Sequence, residues 1–435
     1  MIFYSTNKSS VPASLKKATL EGLAPDGGLY VPSEIPAFSP GELELLQNAP
    51  FTDVAFAIAK KFTGDEIPHD RLYAIIEECY TFDTPLHKLD GKTFVEELFH
   101  GPTLAFKDYG ARFLARMTGY FAEEDQKLIT ILVATSGDTG SAVAYGFQGI
   151  ANTRVVLLYP SGKVSRLQEQ QLTTAGGNVT ALEVNGDFDD CQRMVKQAFM
   201  DQDTRRRLTL TSANSINISR LIPQTFYYAW AALKLSKEHS GRKVVFSVPS
   251  GNYGNLTAGV LAMKMGFPIS HFIAAANAND SVTRYLDEGR YEPRPTIRTL
   301  STAMDVGNPS NFARLQHIYH YNALEMAHDI SGYSTPDSET LETIREVYDH
   351  YDYIMDPHTA VGYHSLEAWR RTHRTDDPSV VLSTAHPAKF IESIQDALGI
   401  EIPIPGRLQS VLDKQKSTTP IDASYRDLAT FLETL

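Results

Sequence analysis

The sequence predicts an α/β protein in which parallel and mixed sheets are covered by helices, behind a mostly helical N-terminal region. Three observations carry the prediction. From about residue 94 the chain repeats strand–loop–helix units. Its strands are continuous β-branched runs, as expected of strands buried on both faces. Short loops rich in Gly, Ser, Thr and Asn follow several strands, at the carboxyl ends where ligands bind in such sheets.

Residues 1–92 form the first region. Its helical pattern is punctuated at Ala24-Pro25-Asp26-Gly27-Gly28 and at Pro36-Ala37-Phe38-Ser39-Pro40. Asp26-Gly27-Gly28 supplies the positive-φ positions of a tight turn, and Leu29-Tyr30-Val31 then reads as a short strand. Residues 93–400 read as a core of two α/β subdomains. Ile129–Ala134 is a buried strand, Thr135-Ser136-Gly137-Asp138-Thr139-Gly140 a loop, and Ser141–Phe147 a helix. Val155–Tyr159 is followed by Pro160-Ser161-Gly162-Lys163 and a helix from Ser165 through Leu172. Val244–Val248 runs into Ser250-Gly251-Asn252-Tyr253-Gly254-Asn255 and a helix through Met265. Phe272–Ala276 and Val380–Ser383 repeat the scheme. Residues 285–350 are polar and weakly patterned, and 401–435 read as a C-terminal segment.

Composition narrows the function. The chain has 435 residues, 42% hydrophobic and 21% charged, with a formal net charge of −12. That is an ordinary globular composition. Without a Lys/Arg-rich block, the electrostatic footprint of a nucleic-acid binder is missing, and no nucleic-acid partner is expected. An anionic ligand must then be drawn by a local nest of donors. Cys79 and Cys191 make no CxxC or zinc-type spacing, so no disulfide framework is expected. No apolar run reaches the roughly 18–20 residues of a membrane span. Met1-Ile2-Phe3-Tyr4-Ser5-Thr6 lacks signal and transit patterns, which makes a cytoplasmic protein without membrane partners the expectation.

Within Phe99-His100-Gly101-Pro102-Thr103-Leu104-Ala105-Phe106-Lys107-Asp108-Tyr109-Gly110, the lysine stands out. An ammonium beside Leu104, Ala105 and Phe106 is either snorkelling to solvent or poorly solvated. Desolvation lowers a lysine pKa and makes a Schiff-base nucleophile of it. Ser250 through Asn255 lets the backbone approach a ligand at two glycines and opens a helix, an arrangement that suits an anion as well as a plain turn. The hydroxyl-dense run from Thr135 to Gly140 reads as an N-cap or as a ligand loop. Ser212-Ala213-Asn214-Ser215-Ile216-Asn217-Ile218-Ser219-Arg220 concentrates amide, hydroxyl and guanidinium donors, either as a solvated loop or as a phosphate site. His386 and Lys389 are read as shaping the loop after the last strand, Lys163 and Arg166 as pocket rim or open surface. Asp356-Pro357-His358 is read as packing and capping. His317 and His320 are read as surface helix, with no metal site.

The segment around Lys107 resembles the cofactor-lysine segment of the threonine synthase family, pyridoxal-phosphate enzymes of the tryptophan synthase β-like group with fold type II. Gly22-Leu23-Ala24-Pro25-Asp26-Gly27-Gly28-Leu29-Tyr30-Val31-Pro32 and the glycine loops resemble that family too, so the likeness spans nearly the whole chain. It implies pyridoxal 5′-phosphate on Lys107, with the cofactor phosphate cradled by Gly251, Asn252, Tyr253, Gly254 and Asn255 and the pyridine nitrogen met by Thr384. It implies that Thr135, Ser136, Gly137, Asp138 and Thr139 grip the amino-acid carboxylate. Asp138 stands where many relatives carry an Asn facing the cofactor's 3′ oxygen. Two anionic oxygens need a shared proton or a nearby cation, so the role of Asp138 stays open. Asn214, Ser215 and Arg220 are implied to hold a substrate phosphate. The expected activity is a lyase reaction of threonine biosynthesis, turning O-phosphohomoserine and water into L-threonine and phosphate, in a monomer or small homo-oligomer. The alternatives are a phospholyase or serine/threonine dehydratase on the same scaffold, and a binding protein that has lost catalysis.

Overall fold

The computed structural model describes residues 1–135 and 137–435. Ser136, expected in a ligand loop, lies outside the described residues. Two sheets organise the rest. The larger runs Ile330–Ser334, Ile269–Ala276, Val244–Pro249, Ser379–Ser383, Thr93–Glu97 and Leu86–Lys88. Its pairs are parallel except the last, which is antiparallel. The second runs Thr419–Asp422, Val179–Asn185, Thr153–Pro160, Ile129–Ala134 and Thr209–Thr211, all parallel. Helices lie against both sheets, so the expected class of fold is the observed one. The β-branched runs explain it: Val244, Val245, Phe246 and Val248, or Ile129, Ile131, Leu132 and Val133, are buried whichever way they point.

The helix Lys107–Glu124 joins the two halves, because its two apolar faces serve different cores. Tyr109, Phe113, Met117 and Phe121 belong to the large core beneath the first sheet. Leu114, Ala115 and Ala122 belong to the core of the second. Its first residue, Lys107, is thereby fixed between the carboxyl ends of both sheets.

The weakly patterned stretch is ordered by what it packs on. It holds the helices Phe312–Ile318, Ala323–Asp329 and Asp337–Tyr351, and the strand Ile330–Ser334 on the edge of the first sheet. Asp337–Tyr351 buries Thr340, Thr343, Ile344 and Val347, a helical stripe disguised by two threonines. The reading of His317 and His320 as one surface helix is corrected. His317 is on the short helix, whereas His320 lies past its end at φ +51°. Residues 401–435 do not stand apart. Thr419–Asp422 extends the second sheet, and Leu428 and Leu432 pack with Leu182, Val184 and Met194. Near the N-terminus Phe3–Ser5 pairs antiparallel with Tyr30–Pro32, after a turn with Gly27 at φ +79°. No helix among the described residues is long and apolar enough to cross a membrane.

Candidate active site

A cleft of about 2790 Å³ opens between the carboxyl ends of the two sheets. Lys107, Thr135, Gly137, Asp138, Thr139, Asn214, Ser215, Arg220, Gly251, Asn252, Tyr253, Gly254, Asn255 and Thr384 all line it. Segments scattered along the chain therefore converge as the motifs demand. Lys163 and Arg166 lie exposed on its rim.

Lys107 is held by the segment before it. The Phe106 amide donates to Thr384 O (2.9 Å), and the His386 amide donates to Leu104 O (3.1 Å). Leu104 takes a left-handed φ of +57°, which turns the chain into the helix. Asp108 closes the loop by accepting from the Thr103 amide and hydroxyl, both at 2.8 Å. Burial lowers the Lys107 pKa, against the pull of Asp138 and with help from Lys389 and Arg220. Its place at a helix N-terminus also disfavours the cation. Both effects make a better nucleophile.

The loop after Ile129–Ala134 divides its labour. The Thr135 hydroxyl accepts from the amides of Gly137 (3.2 Å) and Gly140 (2.9 Å). That side chain is spent inside its own turn, so the expectation that it grips substrate is corrected for Thr135. Gly137 is needed as glycine: its φ is +157°, and a Cβ would come within 2.6 Å of Gln168 Nε2. Asp138 Oδ1 receives the Lys389 ammonium at 2.5 Å and the Gln168 amide at 3.2 Å. Burial alone would raise the Asp138 carboxyl, but the charges of Lys389 and Lys107, with the Lys389 and Gln168 hydrogen bonds, hold it well below the carboxylate range. Lys389 is thus a cation in contact with Asp138, as well as part of its loop.

Ser250 to Asn255 opens the helix Gly254–Lys264, with Tyr253 left-handed at φ +59°. The five expected cofactor residues differ in what they have to offer. The Asn252 amide is engaged, donating to Ser215 Oγ (2.6 Å) and accepting from the Ser310 amide (2.6 Å). It clamps three loops together, so one hydrogen of its Nδ2 and its backbone amide are what Asn252 has left for the expected cradle. The Tyr253 ring belongs to the large core. Asn255 accepts from the hydroxyls of Tyr227 (2.5 Å) and Tyr228 (2.8 Å), and its Nδ2 is buried without a partner among the described residues. A Cβ on Gly251 would meet Ala303 O at 2.5 Å, whereas one on Gly254 would come no nearer than 3.3 Å to Asn311 Nδ2. Gly251 serves the fit of the loop against residues 303–304. Gly254 keeps the helix start open.

The loop from Ser212 to Arg220 is braced from behind and lines the cleft in front. Ser215 O receives the Asn311 amide at 3.3 Å. Arg220 Nη1 donates to Ala213 O at 2.6 Å, while its Nε is buried with no partner among the described residues. Burial lowers the Arg220 pKa to about 10, against the pull of Asp108, and it stays a cation at neutral pH. A buried guanidinium with an unmet donor is costly unless an anion arrives.

His358, read from the sequence only as packing and capping, shapes the wall, and Asn311, not singled out there, braces the loop behind it. His358 lines the cleft, and its Nδ1 meets Asp356 Oδ1 at 2.7 Å while Nε2 accepts from the Ala303 amide at 3.1 Å. The proton is thus on Nδ1, and the pair anchors the backbone on which Gly251 rests. Asn311 links the Ser215 loop to Arg314. A polar residue amid the apolar positions after Pro357 was the available signal for His358; for Asn311 there was none.

The donor set fits pyridoxal phosphate. Besides Lys107 for its aldehyde, there is a helix N-terminus with a left-handed turn and the unpartnered Asn255 Nδ2 for its phosphate. Comparison with known proteins agrees. The family model described as pyridoxal-phosphate dependent enzyme matches residues 80–385, which makes the chain a member of that class. Models for the threonine synthase N terminus and C-terminal region match residues 2–80 and 359–432. A curated threonine synthase from Serratia marcescens is 41% identical over 432 residues, covering 99% of each chain. The crystal structure of threonine synthase from Escherichia coli is 40% identical, with a TM-score of 0.91 and complete coverage of both chains. That of the pyridoxal-phosphate-bound enzyme from Brucella melitensis is 37% identical with a TM-score of 0.94, covering 100% of this chain and 99% of its own. Within the class, the chain belongs to the threonine synthase family.

Proposed function

We propose that this lyase converts O-phosphohomoserine and water to L-threonine and phosphate, with each step resting on one of the loops described. Bound pyridoxal phosphate supplies an aldehyde for the substrate amine and a ring that withdraws electrons from the α-carbon. The residues of the chain do the rest. Lys107, its amine freed when substrate takes its place, removes the α-proton and moves protons at the neighbouring carbon. The amides of residues 251–255 and Asn255 Nδ2 hold the cofactor phosphate. Thr384 would offer a neutral hydroxyl to the ring nitrogen, which, unlike a carboxylate, does not force that nitrogen to be protonated. Gly137 and Thr139 receive the substrate carboxylate.

The observation that carries the choice of substrate is Arg220. Its guanidinium is buried at the cleft that holds Lys107, with Nε unmet among the described residues. Together with Asn214 and Ser215 it is suited to a phosphate whose negative charge grows as its bond to carbon breaks. A dehydratase, whose substrates carry no phosphate, has no use for a guanidinium buried in this way. The test is product analysis with O-phosphohomoserine in water labelled with heavy oxygen. The reading expects threonine carrying one labelled hydroxyl, with one phosphate released per threonine. A 2-oxo acid as the main product would mean elimination without hydration and would favour the dehydratase reading.

A further inference from the structure

The ion pair between Lys389 and Asp138 is buried, with side-chain exposures of 0% and 5%. Lys389 Nζ also donates to Thr103 O at 3.1 Å, in the loop that Asp108 closes just before Lys107. Buried ion pairs are poor stabilising devices, since desolvation cancels most of the attraction. This one stands beside a lysine that must act as an amine. Three charged groups from the packed elements bear on Lys107: Asp138 at the start of Asp138–Phe147, Lys389 after Ser379–Ser383 and Arg220 on Ile218–Leu221. Asp108, next to it on its own helix, is tied to Thr103. Asp138 is the carboxylate that pulls Lys107 toward the ammonium form, and it is already paired.

We propose that Lys389 is a positioning residue for the reaction: by occupying the Asp138 carboxylate it keeps Asp138 from capturing the Lys107 ammonium, and leaves Lys107 a free amine. The inference rests on reading Lys107 as the cofactor lysine. Losing the Lys389 charge leaves Asp138 facing Lys107 as its cation, and the two lock into a salt bridge that is neither nucleophile nor base. Removing Asp138 as well abolishes the trap.

The test uses the full chain as wild type, Lys389→Met, Asp138→Asn, the double variant and Lys389→Arg. Borohydride reduction of the wild-type holoenzyme and peptide mapping first show which lysine carries the cofactor. Lys107 is expected, and label on Lys389 would overturn both readings. The cofactor is then stripped, and the rate at which an acylating reagent labels Lys107 is followed against pH. In Lys389→Met the midpoint should rise by about one pH unit, a roughly tenfold slower labelling at neutral pH. Asp138→Asn and the double variant should stay at or below the wild-type midpoint, and Lys389→Arg, which keeps the charge, should match it. An unchanged midpoint in Lys389→Met, a double variant as slow as Lys389→Met, or a raised midpoint in Lys389→Arg would each overturn the proposal. The Lys389→Arg arm decides even if Lys389→Met fails to fold.

Discussion

Arg314 and Arg220 are both buried and neither forms an ion pair with a carboxylate among the described residues, yet they are held in opposite ways. Every nitrogen of the Arg314 guanidinium has a partner: Nε donates to Tyr30 O (2.9 Å), Nη1 to Asn311 Oδ1 (2.6 Å) and Nη2 to Ile216 O (2.6 Å). It stitches the N-terminal strand to the back of the substrate loop, and burial lowers its pKa to about 9. Arg220, at the front of the same loop, has one carbonyl partner and an unmet Nε. The first arrangement is that of a joint. The second is that of a site awaiting its ligand.

The largest effect concerns Lys107, which lines the same cleft as Arg220. Lys107→Ala should remove the visible band of the lysine imine and lower turnover by about 10²–10⁴-fold or more. Steady-state kinetics and a spectrum check this, and appreciable threonine formation would assign the chemistry to another lysine. Arg314→Met then tests the joint. Three acceptors lose their donor, so unfolding free energy should fall by about 2–4 kcal/mol. Denaturant titration reads that loss. Arg220→Met should instead leave stability unchanged or raised, because removing an under-satisfied buried charge relieves a cost. If both variants lose stability alike, the contrast between joint and site is wrong.

The glycines sharpen the same contrast on the cofactor side. Gly251→Ala should disturb the fold, with its Cβ against Ala303 O. Gly254→Ala has room, and should weaken cofactor binding by roughly tenfold with little change in melting temperature. Equilibrium dialysis against pyridoxal phosphate beside a melting curve separates the two. Equal affinities in Gly254→Ala and wild type would make the loop a turn and nothing more.

The joint and the site were not equally legible in the sequence. The strand–loop–helix units and the loops at the strand ends followed from local patterns, while the common site of Lys107, Arg220 and Thr384 was implied by the family resemblance. What stayed hidden lies in contacts between distant segments. Arg314 bonds two backbone carbonyls, which no side-chain pattern announces. The Thr135 hydroxyl and the Asn252 amide look like ligand groups in a string of letters, and only the fold shows them already engaged. Lys389 meets Asp138 across two sheets. In the stretch 285–350, threonines at buried helical positions hid the period that apolar residues would have displayed.

The smallest effect is in pH. Burial, the largest influence, outweighs the Thr103 hydrogen bonds and raises the Asp108 carboxyl to about 6, above its ordinary 3.8. The folded state therefore binds this proton more tightly than the unfolded chain. The contribution of Asp108 to stability is full below pH about 4 and declines as pH rises through about 6. Melting temperatures of wild type and Asp108→Asn, measured from pH 4 to 7, should diverge, with wild type losing ground as pH rises. Parallel curves would mean that Asp108 does not titrate in this range.

The central claim is that Arg220 belongs to the substrate's phosphate and not to the cofactor's, and Arg220→Lys tests it most directly. A lysine keeps the charge but loses the planar fork. The account predicts kcat/KM for O-phosphohomoserine reduced roughly ten- to a hundredfold, with cofactor affinity and spectrum intact. It also predicts that inorganic phosphate, a competitor of substrate in the wild type, inhibits the variant far less. Loss of cofactor with phosphate competition unchanged would contradict it, and would place Arg220 at the other phosphate.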